Sequence, residues 1–106
     1  MTEQAVTVLL TYRAQPGLAE VAVRELTELI ATVVATEPDC RGIRLYQDPT
    51  DPTRILLCEH WTGRAVYVGP HMQTPHLTKF IERATGFLAG PPDINFWHLR
   101  AEERAS

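Results

Sequence analysis

The feature that most constrains the fold of this chain is a short turn-forming segment, Asp48 to Thr53, between two strand-like runs. Its aspartates, prolines and threonines favour tight turns over regular structure. A connection this short joins antiparallel strands, because parallel strands need a crossover of a dozen or more residues. The runs from Gly42 to Gln47 and from Arg54 to Trp61 are therefore predicted to form a β-hairpin.

One amphipathic helix is predicted before this hairpin and another after it. From Leu18 to about Thr36 apolar residues recur at helical spacing, and Pro38 ends the helix because proline disfavours the helical conformation in the residue before it. The second helix is expected to begin at Thr74-Pro75, with threonine as the cap and proline first in the helix. It is expected to continue to Gly90-Pro91-Pro92. Its predicted apolar stripe is Leu77, Phe80, Ile81, Ala84 and Leu88.

Two further strands and a short helix complete the predicted elements. The strands are Val6 to Arg13 and Ile94 to Leu99, and Thr62 is expected to cap a short helix that runs through Val68. The order strand, helix, strand, strand, helix, strand is that of the split βαβ or ferredoxin-like fold, an α+β class with helices on one face of an antiparallel sheet. We predict one domain over residues 1–106, with a core from about 5 to 99 and a polar tail from 100 to 106.

The third strand predicts a partner for the open face of the sheet. A sheet covered on one side should alternate apolar and polar residues. Here Ile55, Leu57 and Trp61 alternate with residues that are themselves apolar, Leu56 and Cys58. The simplest structure that buries both faces is a homodimer packed through the sheet, on the side away from the helices.

Composition excludes several classes of partner. A net charge of −3 and a pI near 5.7 provide no basic surface for nucleic acid or an anionic membrane. No apolar run reaches the roughly 18 residues of a membrane span, and no signal peptide is predicted. Cys40 and Cys58 lack a paired motif and are interpreted as reduced thiols, so we expect a cytoplasmic protein.

From Glu37 onwards, several short motifs of the chain resemble the antibiotic-biosynthesis monooxygenase family. The resemblance covers roughly residues 5 to 99. It implies a dimeric α+β barrel of ferredoxin-like subunits, and its members include oxygenases of quinols and polyketide anthrones that use neither metal nor flavin. The motifs are Glu37-Pro38-Asp39-Cys40, Leu45-Tyr46, the Asp-Pro-Thr hairpin, Glu59-His60-Trp61, Tyr67, the segment from His71 to His76, and Phe80.

The branches of the family match to different degrees. The polyketide-oxygenase branch resembles the chain at Trp61, Tyr67 and Gly90-Pro91-Pro92. The chain departs from that branch on the third strand, where Leu57 stands in place of the branch's polar amide. The arginine that the branch carries on its second main helix has only an approximate counterpart in Arg83. The haem-degrading branch is not expected, because its functional positions are occupied by Leu10, His71 and Phe80.

The candidate catalytic residues are Glu59, His71 and His76, each a possible general base. A carboxylate among apolar neighbours has a raised pKa, which suits Glu59 to accept a proton near neutral pH. His76 is placed near a helix start, where the helix dipole disfavours imidazolium. Trp61, Tyr67 and Arg83 are the candidate substrate-binding residues, the two aromatic rings as walls for a flat molecule.

No cofactor or metal is expected. The chain has no glycine-rich nucleotide motif, and His71 and His76 are five residues apart across a proline rather than at helical metal-ligand spacing. The sequence thus predicts an enzyme, a cofactor-independent monooxygenase that oxidises a small aromatic phenol, quinol or anthrone with dioxygen. Two alternatives remain open at this point: an isomerase or lyase that uses the same pocket, and a non-catalytic ligand-binding or dimerisation domain.

Overall fold

A computed structural model describes residues 4–105 of the chain, and its fold is the predicted α+β ferredoxin-like arrangement. The four strands form one antiparallel sheet in the order β2-β3-β1-β4. A 3-10 turn, Pro70–Gln73, lies between the second and third helices. The elements are β1 (Val6–Arg13), α1 (Ala19–Thr36), β2 (Cys40–Gln47), β3 (Arg54–Trp61), α2 (Arg64–Val68), α3 (Pro75–Ala84) and β4 (Asp93–Trp97).

The core lies between the inner face of the sheet and the helices. Strand register sets which side chains share that face: Val8 pairs with Glu59, Leu10 with Leu57 and Tyr12 with Ile55. Residues directly opposite one another in an antiparallel pair point to the same side. Glu59 therefore lies among apolar neighbours on the helix side of the sheet, as its position in the alternating strand predicts. Helix α1 packs on this face through Ala22, Leu26 and Val33.

The opposite face of the sheet is not covered by any element of residues 4–105. Leu56 and Cys58 are only partly buried there, although β3 is flanked by strands on both sides. Tyr46 and Trp97 lie on the same face by register and remain substantially exposed, Trp97 by 55%. An apolar strip thus runs across the open face, which is the feature from which the homodimer is predicted; the dimer itself stays a prediction.

The predicted end of α3 is wrong. The helix ends at Ala84 and not at Gly90-Pro91-Pro92, because the chain turns at Thr85 and Gly86. Leu88 therefore lies outside the helix, where it is buried against the core and bridges to Ala14. The residues up to Pro92 form an irregular segment along the sheet, and Gly90 takes a positive φ of 140° that side chains rarely adopt.

Two smaller expectations also need correction. Thr62 does not cap α2, since its hydroxyl donates to Asp39 Oδ1 (2.7 Å) and Gly63 occupies the cap position instead. The last strand begins one residue earlier and ends at Trp97, short of Leu99. Neither change moves a side chain on the inner face of the sheet.

Helix length and hydropathy bear on membrane insertion. Of the helices within residues 4–105, none combines the length and the apolar character needed to cross a bilayer.

Cys40 and Cys58 are both free thiols. The cytoplasmic location stays a prediction.

Candidate functional site

A cavity of about 480 Å³ lies between the inner face of the sheet and helices α1 and α3. This volume is in the range of small-molecule sites. Most of its wall is aliphatic, and its polar side chains are a carboxyl, two phenols, an imidazole and one hydroxyl. The lining residues are Leu10, Tyr12, Leu29, Ile30, Val33, Ile43, Glu59, Tyr67, His71, Met72, Leu77, Phe80, Ile81, Ala84, Thr85, Leu88, Gly90, Pro91, Pro92 and Ile94.

Glu59 brings a carboxyl group into this apolar surrounding. Its side chain is buried, with 5% of the residue exposed, and Oε1 accepts a hydrogen bond from Trp61 Nε1–H (2.9 Å). Burial raises the pKa of Glu59 to about 7, although the Trp61 bond acts in the opposite direction. Near neutral pH this group exchanges readily between acid and carboxylate, which is the property a general base needs.

Three rings surround this carboxyl. Trp61 packs edge-on against Tyr67, with ring centroids 5.5 Å apart. It also packs against His71 with the two rings tilted and their centroids 4.5 Å apart. Tyr67 and His71 stack at 5.0 Å. Tyr67 is carried by α2 and His71 by the 3-10 turn that follows the break at Gly69-Pro70, so the two stacked rings come from successive elements. Glu59, Tyr67 and His71 therefore form one polar cluster in the cavity wall, with Trp61 behind it.

A carboxylate that sequence reasoning did not select organises the two histidines. Glu37 stands at the C-terminal cap of α1. His71 Nδ1 lies 2.9 and 3.0 Å from its two oxygens, and His76 Nε2 lies 2.6 Å from Oε2. A carboxylate can only accept, so both imidazoles donate N–H to Glu37. The available signal was its place in the Glu37-Pro38-Asp39-Cys40 motif, which we interpreted as a helix end and as part of the family resemblance without giving Glu37 a role.

The Glu37 bond has a chemical consequence for His71. With Nδ1 holding the proton, Nε2 of the neutral ring is the nitrogen that carries a free lone pair. Burial lowers the pKa of His71, while its bond to Glu37 opposes that shift. His71 is itself buried and lines the cavity. It is therefore held as a neutral imidazole of defined tautomer at the cavity wall.

Tyr12 is a second cavity residue that the sequence did not single out. It lies on the inner face of β1, and burial raises the pKa of Tyr12 and of Tyr67, with the negative charge of Glu59 adding to both shifts. Both phenols are therefore protonated donors at neutral pH. Both side chains line the cavity, so their hydroxyl groups are available to a bound molecule.

The structure brings together some of the predicted site residues and separates others. Glu59, Tyr67 and His71 line the cavity, whereas Trp61 lies behind them and His76 on the far side of Glu37. Arg83 is not brought to the cavity: its guanidinium forms an ion pair with Glu25 on α1, and its side chain is 56% exposed. The helical position of Arg83 points outward because Phe80 and Ala84 occupy the inward positions of that turn.

No group of three or more His, Cys, Asp or Glu side chains within the described residues is arranged to hold a metal ion. The absence of a cofactor stays a prediction.

The fold and the site define a small α+β domain that encloses an apolar cavity with a buried carboxyl in its wall. The family model of the antibiotic biosynthesis monooxygenases matches residues 5–83, and the chain belongs to this family. The match includes Glu37, Glu59, Tyr67 and both histidines of the site.

Individual relatives share the fold over nearly the whole chain. The structure of PA3566 from Pseudomonas aeruginosa is 27% identical, covers 95% of this chain and 99% of its own, and superposes with a TM-score of 0.82. A structure named antibiotic biosynthesis monooxygenase is 20% identical over 91% of this chain and 99% of its own, with a TM-score of 0.78. The curated protein sll1783 of Synechocystis is 33% identical over 64 residues, which is 60% of this chain and 43% of that relative's length.

Proposed function

We propose that this protein is a cofactor-independent monooxygenase that oxidises a small phenol, quinol or anthrone with dioxygen. The observation that carries the proposal is Glu59, a buried carboxyl with a pKa of about 7 in the wall of an apolar cavity. Membership of the family supports the same class of reaction. An electron-rich substrate of this kind is its own reductant once it has lost a proton, so the protein has to supply only a base and a dry, shaped site.

For an anthrone the proposed steps balance as follows. Glu59 removes a proton from the methylene carbon, and the carbanion transfers one electron to dioxygen. The substrate radical and superoxide then combine to form a carbon–oxygen bond, and protonation of the distal oxygen gives a hydroperoxide. Loss of the second methylene proton with cleavage of the oxygen–oxygen bond releases water. The net reaction converts the methylene group and dioxygen into a carbonyl group and one water, with one oxygen atom retained in the product.

The other polar groups have assigned roles in this proposal. Tyr12 and Tyr67 donate hydrogen bonds to substrate oxygens and so stabilise the negative charge that spreads onto them after deprotonation. His71 presents a neutral Nε2 that accepts a hydrogen bond from a substrate hydroxyl. Trp61 orients the carboxyl from behind through its indole N–H.

Oxygen consumption tests the proposal. Anthrones and hydroquinones are added to the protein in an oxygen electrode, with a chelator present to remove stray metal ions. Uptake above the spontaneous rate, with one atom of labelled dioxygen in the product, is the expected result. Turnover of a panel substrate without oxygen uptake favours the isomerase or lyase alternative. Neither turnover nor uptake across the panel rejects the monooxygenase and leaves the non-catalytic binding domain.

We also propose that the working unit is a homodimer packed through the open face of the sheet. Light scattering at micromolar concentration should report about twice the 11.9 kDa of one chain. Leu56→Arg places a charge at the centre of that face and should give the monomer mass, because an unpaired charge is costly to bury. Val34→Arg puts the same charge on the exposed side of α1 and should leave the dimer intact. A monomer mass for the unmodified protein contradicts the proposal.

Glu37 is proposed as the positioning residue of His71. Glu37→Gln replaces the shared acceptor by an amide whose NH₂ faces an imidazole N–H, so we expect a loss of about 1–3 kcal/mol in the free energy of unfolding. We also expect the imidazole nitrogen shifts of His71 in NMR to change from one fixed tautomer to a mixture.

Glu25→Gln is the matched control for this variant. It removes a carboxylate that is also paired, but with Arg83 at the surface, where such pairs contribute little. It should change neither the unfolding free energy by more than about 0.5 kcal/mol nor the His71 tautomer. If Glu37→Gln retains the tautomer of the unmodified protein, Glu37 does not position His71.

A further inference from the structure

The cavity offers hydrogen-bonding groups but no cation to a ligand. Its polar lining includes the Glu59 carboxyl, the hydroxyls of Tyr12 and Tyr67, and the His71 ring. Among residues 4–105, no lysine or arginine lines the cavity. The carboxyl of Glu59 is likewise paired with no cation in the described part of the chain, where its hydrogen bond comes from Trp61.

Two arginines on helices of the cavity wall are held by other partners. Arg83 on α3 forms its ion pair with Glu25. Arg64 on α2 lies over the ring of Phe96, with its guanidinium carbon 4.5 Å from the ring centroid. Moving either guanidinium into the cavity breaks an existing interaction and buries a charge. Because no lysine or arginine of residues 4–105 lines the cavity, an anionic group inside it meets no counter-charge from the described part of the chain.

A hydroxyl group suits the same wall. It donates to Glu59 or to the free nitrogen of His71, and it accepts from the hydroxyl of Tyr12 or Tyr67, since both of these side chains line the cavity. An ionised carboxylate has only acceptors to offer, and Glu59 faces it with acceptor atoms and negative charge. The phenol donors of Tyr12 and Tyr67 replace only part of its hydration, and no cation in the described lining offsets its charge.

We infer that the cavity selects uncharged, hydroxyl-bearing aromatic molecules and rejects the same molecules when they carry a carboxylate. The inference rests on the proposed function and narrows its substrate class to neutral phenols, quinols and anthrones. Acidic members of these classes, including free polyketide acids, are excluded. Phosphate esters of these molecules and their thioesters with a nucleotide carrier are also anionic. The inference excludes them for the same reason.

The test compares two stable flat ligands of equal size that differ in charge. The probes are 1,8-dihydroxy-3-(hydroxymethyl)anthraquinone and 1,8-dihydroxyanthraquinone-3-carboxylate, titrated into the full-length protein by calorimetry at pH 7.5. We expect the neutral probe to bind at least about a hundredfold more tightly, because the carboxylate must be desolvated unpaired. Equal or tighter binding of the carboxylate overturns the inference, and so does failure of both probes to bind.

A charge added to the cavity wall should reverse the preference. Ile81 lines the cavity from α3 and is half exposed, so an arginine is tolerated there and reaches both solvent and ligand. Ile81→Arg should tighten binding of the carboxylate relative to the neutral probe by about tenfold or more, whereas Val34→Arg, which adds the same charge away from the cavity, should not. An unchanged ratio in Ile81→Arg places the ligand outside this cavity and overturns the inference.

The test of charge selectivity and the test of the monooxygenase reaction can fail independently of each other. Selective binding of the neutral probe without oxygen uptake on any anthrone rejects the monooxygenase and leaves the selectivity standing. Oxygen uptake that is as fast with a carboxy-anthrone as with its hydroxymethyl counterpart rejects the selectivity and leaves the monooxygenase standing.

Discussion

Replacing Glu59 by glutamine is expected to lower kcat by about 100- to 10,000-fold while the dissociation constant for a neutral aromatic ligand changes by only a few-fold. Glutamine keeps the size and the acceptor for the Trp61 N–H, but it cannot take a proton from the substrate. In the unmodified protein the rate should rise with pH, with a midpoint at about 7, because the carboxylate is the active form. The measurement is oxygen uptake against pH with a saturating anthrone.

The free energy of unfolding of Glu59→Gln shows whether the variant is correctly folded. The pKa of Glu59 predicts the direction in which this free energy should change. Glu59 in the folded protein holds its proton up to about pH 7, above the ordinary value of 4.5. Its contribution to stability is therefore full below about 4.5 and is lost as pH rises through 7, a difference of about 3 kcal/mol. Glutamine carries no such loss, so Glu59→Gln should be the more stable protein at pH 8. Near-normal turnover in this stable variant shows that Glu59 is not the base.

Truncation of Trp61 is expected to have the largest effect on the fold. The residue is 1% exposed, is the largest fully buried side chain among the described residues, and contacts both rings of the polar cluster. Trp61→Ala should cost about 3–5 kcal/mol in the free energy of unfolding, measured by denaturant titration, because the cavity it leaves is only partly refilled. For a domain of this size that is a large share of the total stability.

Trp61→Phe separates packing from hydrogen bonding. It keeps most of the ring volume but removes the indole N–H that holds the pKa of Glu59 down. We expect a smaller loss of stability than for alanine, and a midpoint of the pH–rate profile above 7. A midpoint that does not move in Trp61→Phe means that the Trp61 bond does not tune the base, whatever the variant does to stability.

Local pattern predicted most of the fold correctly because the relevant forces act over short stretches. The alternation in β3 places Glu59 and Trp61 on the same face, and the turn chemistry of Asp48 to Thr53 makes the hairpin antiparallel. The end of α3 was predicted wrongly for a related reason. Apolar residues continue past the helix at Leu88, but that residue packs in an irregular segment, and periodicity alone does not distinguish the two.

The features of the site that the sequence did not predict depend on contacts between segments that are distant along the chain. Glu37 lies 34 residues before His71 and 39 before His76 along the chain, and no local rule indicates that one carboxylate accepts from both rings. Arg83 illustrates the same limit in the other direction. Its helical position faces away from the cavity, and the ion pair with Glu25 on the neighbouring helix holds the guanidinium there.

The sequence by itself determined the order of strands and helices, and the presence of the Glu59 carboxyl on the same face of β3 as Ile55, Leu57 and Trp61. These follow from periodicity and turn residues, whose effects extend over a few neighbours. The tertiary structure alone decided which polar groups share the cavity with Glu59, and that Glu37 holds His71 in one tautomer. Those depend on the packing of α1 and α2 against β3, where small differences in distance decide whether two groups form a hydrogen bond.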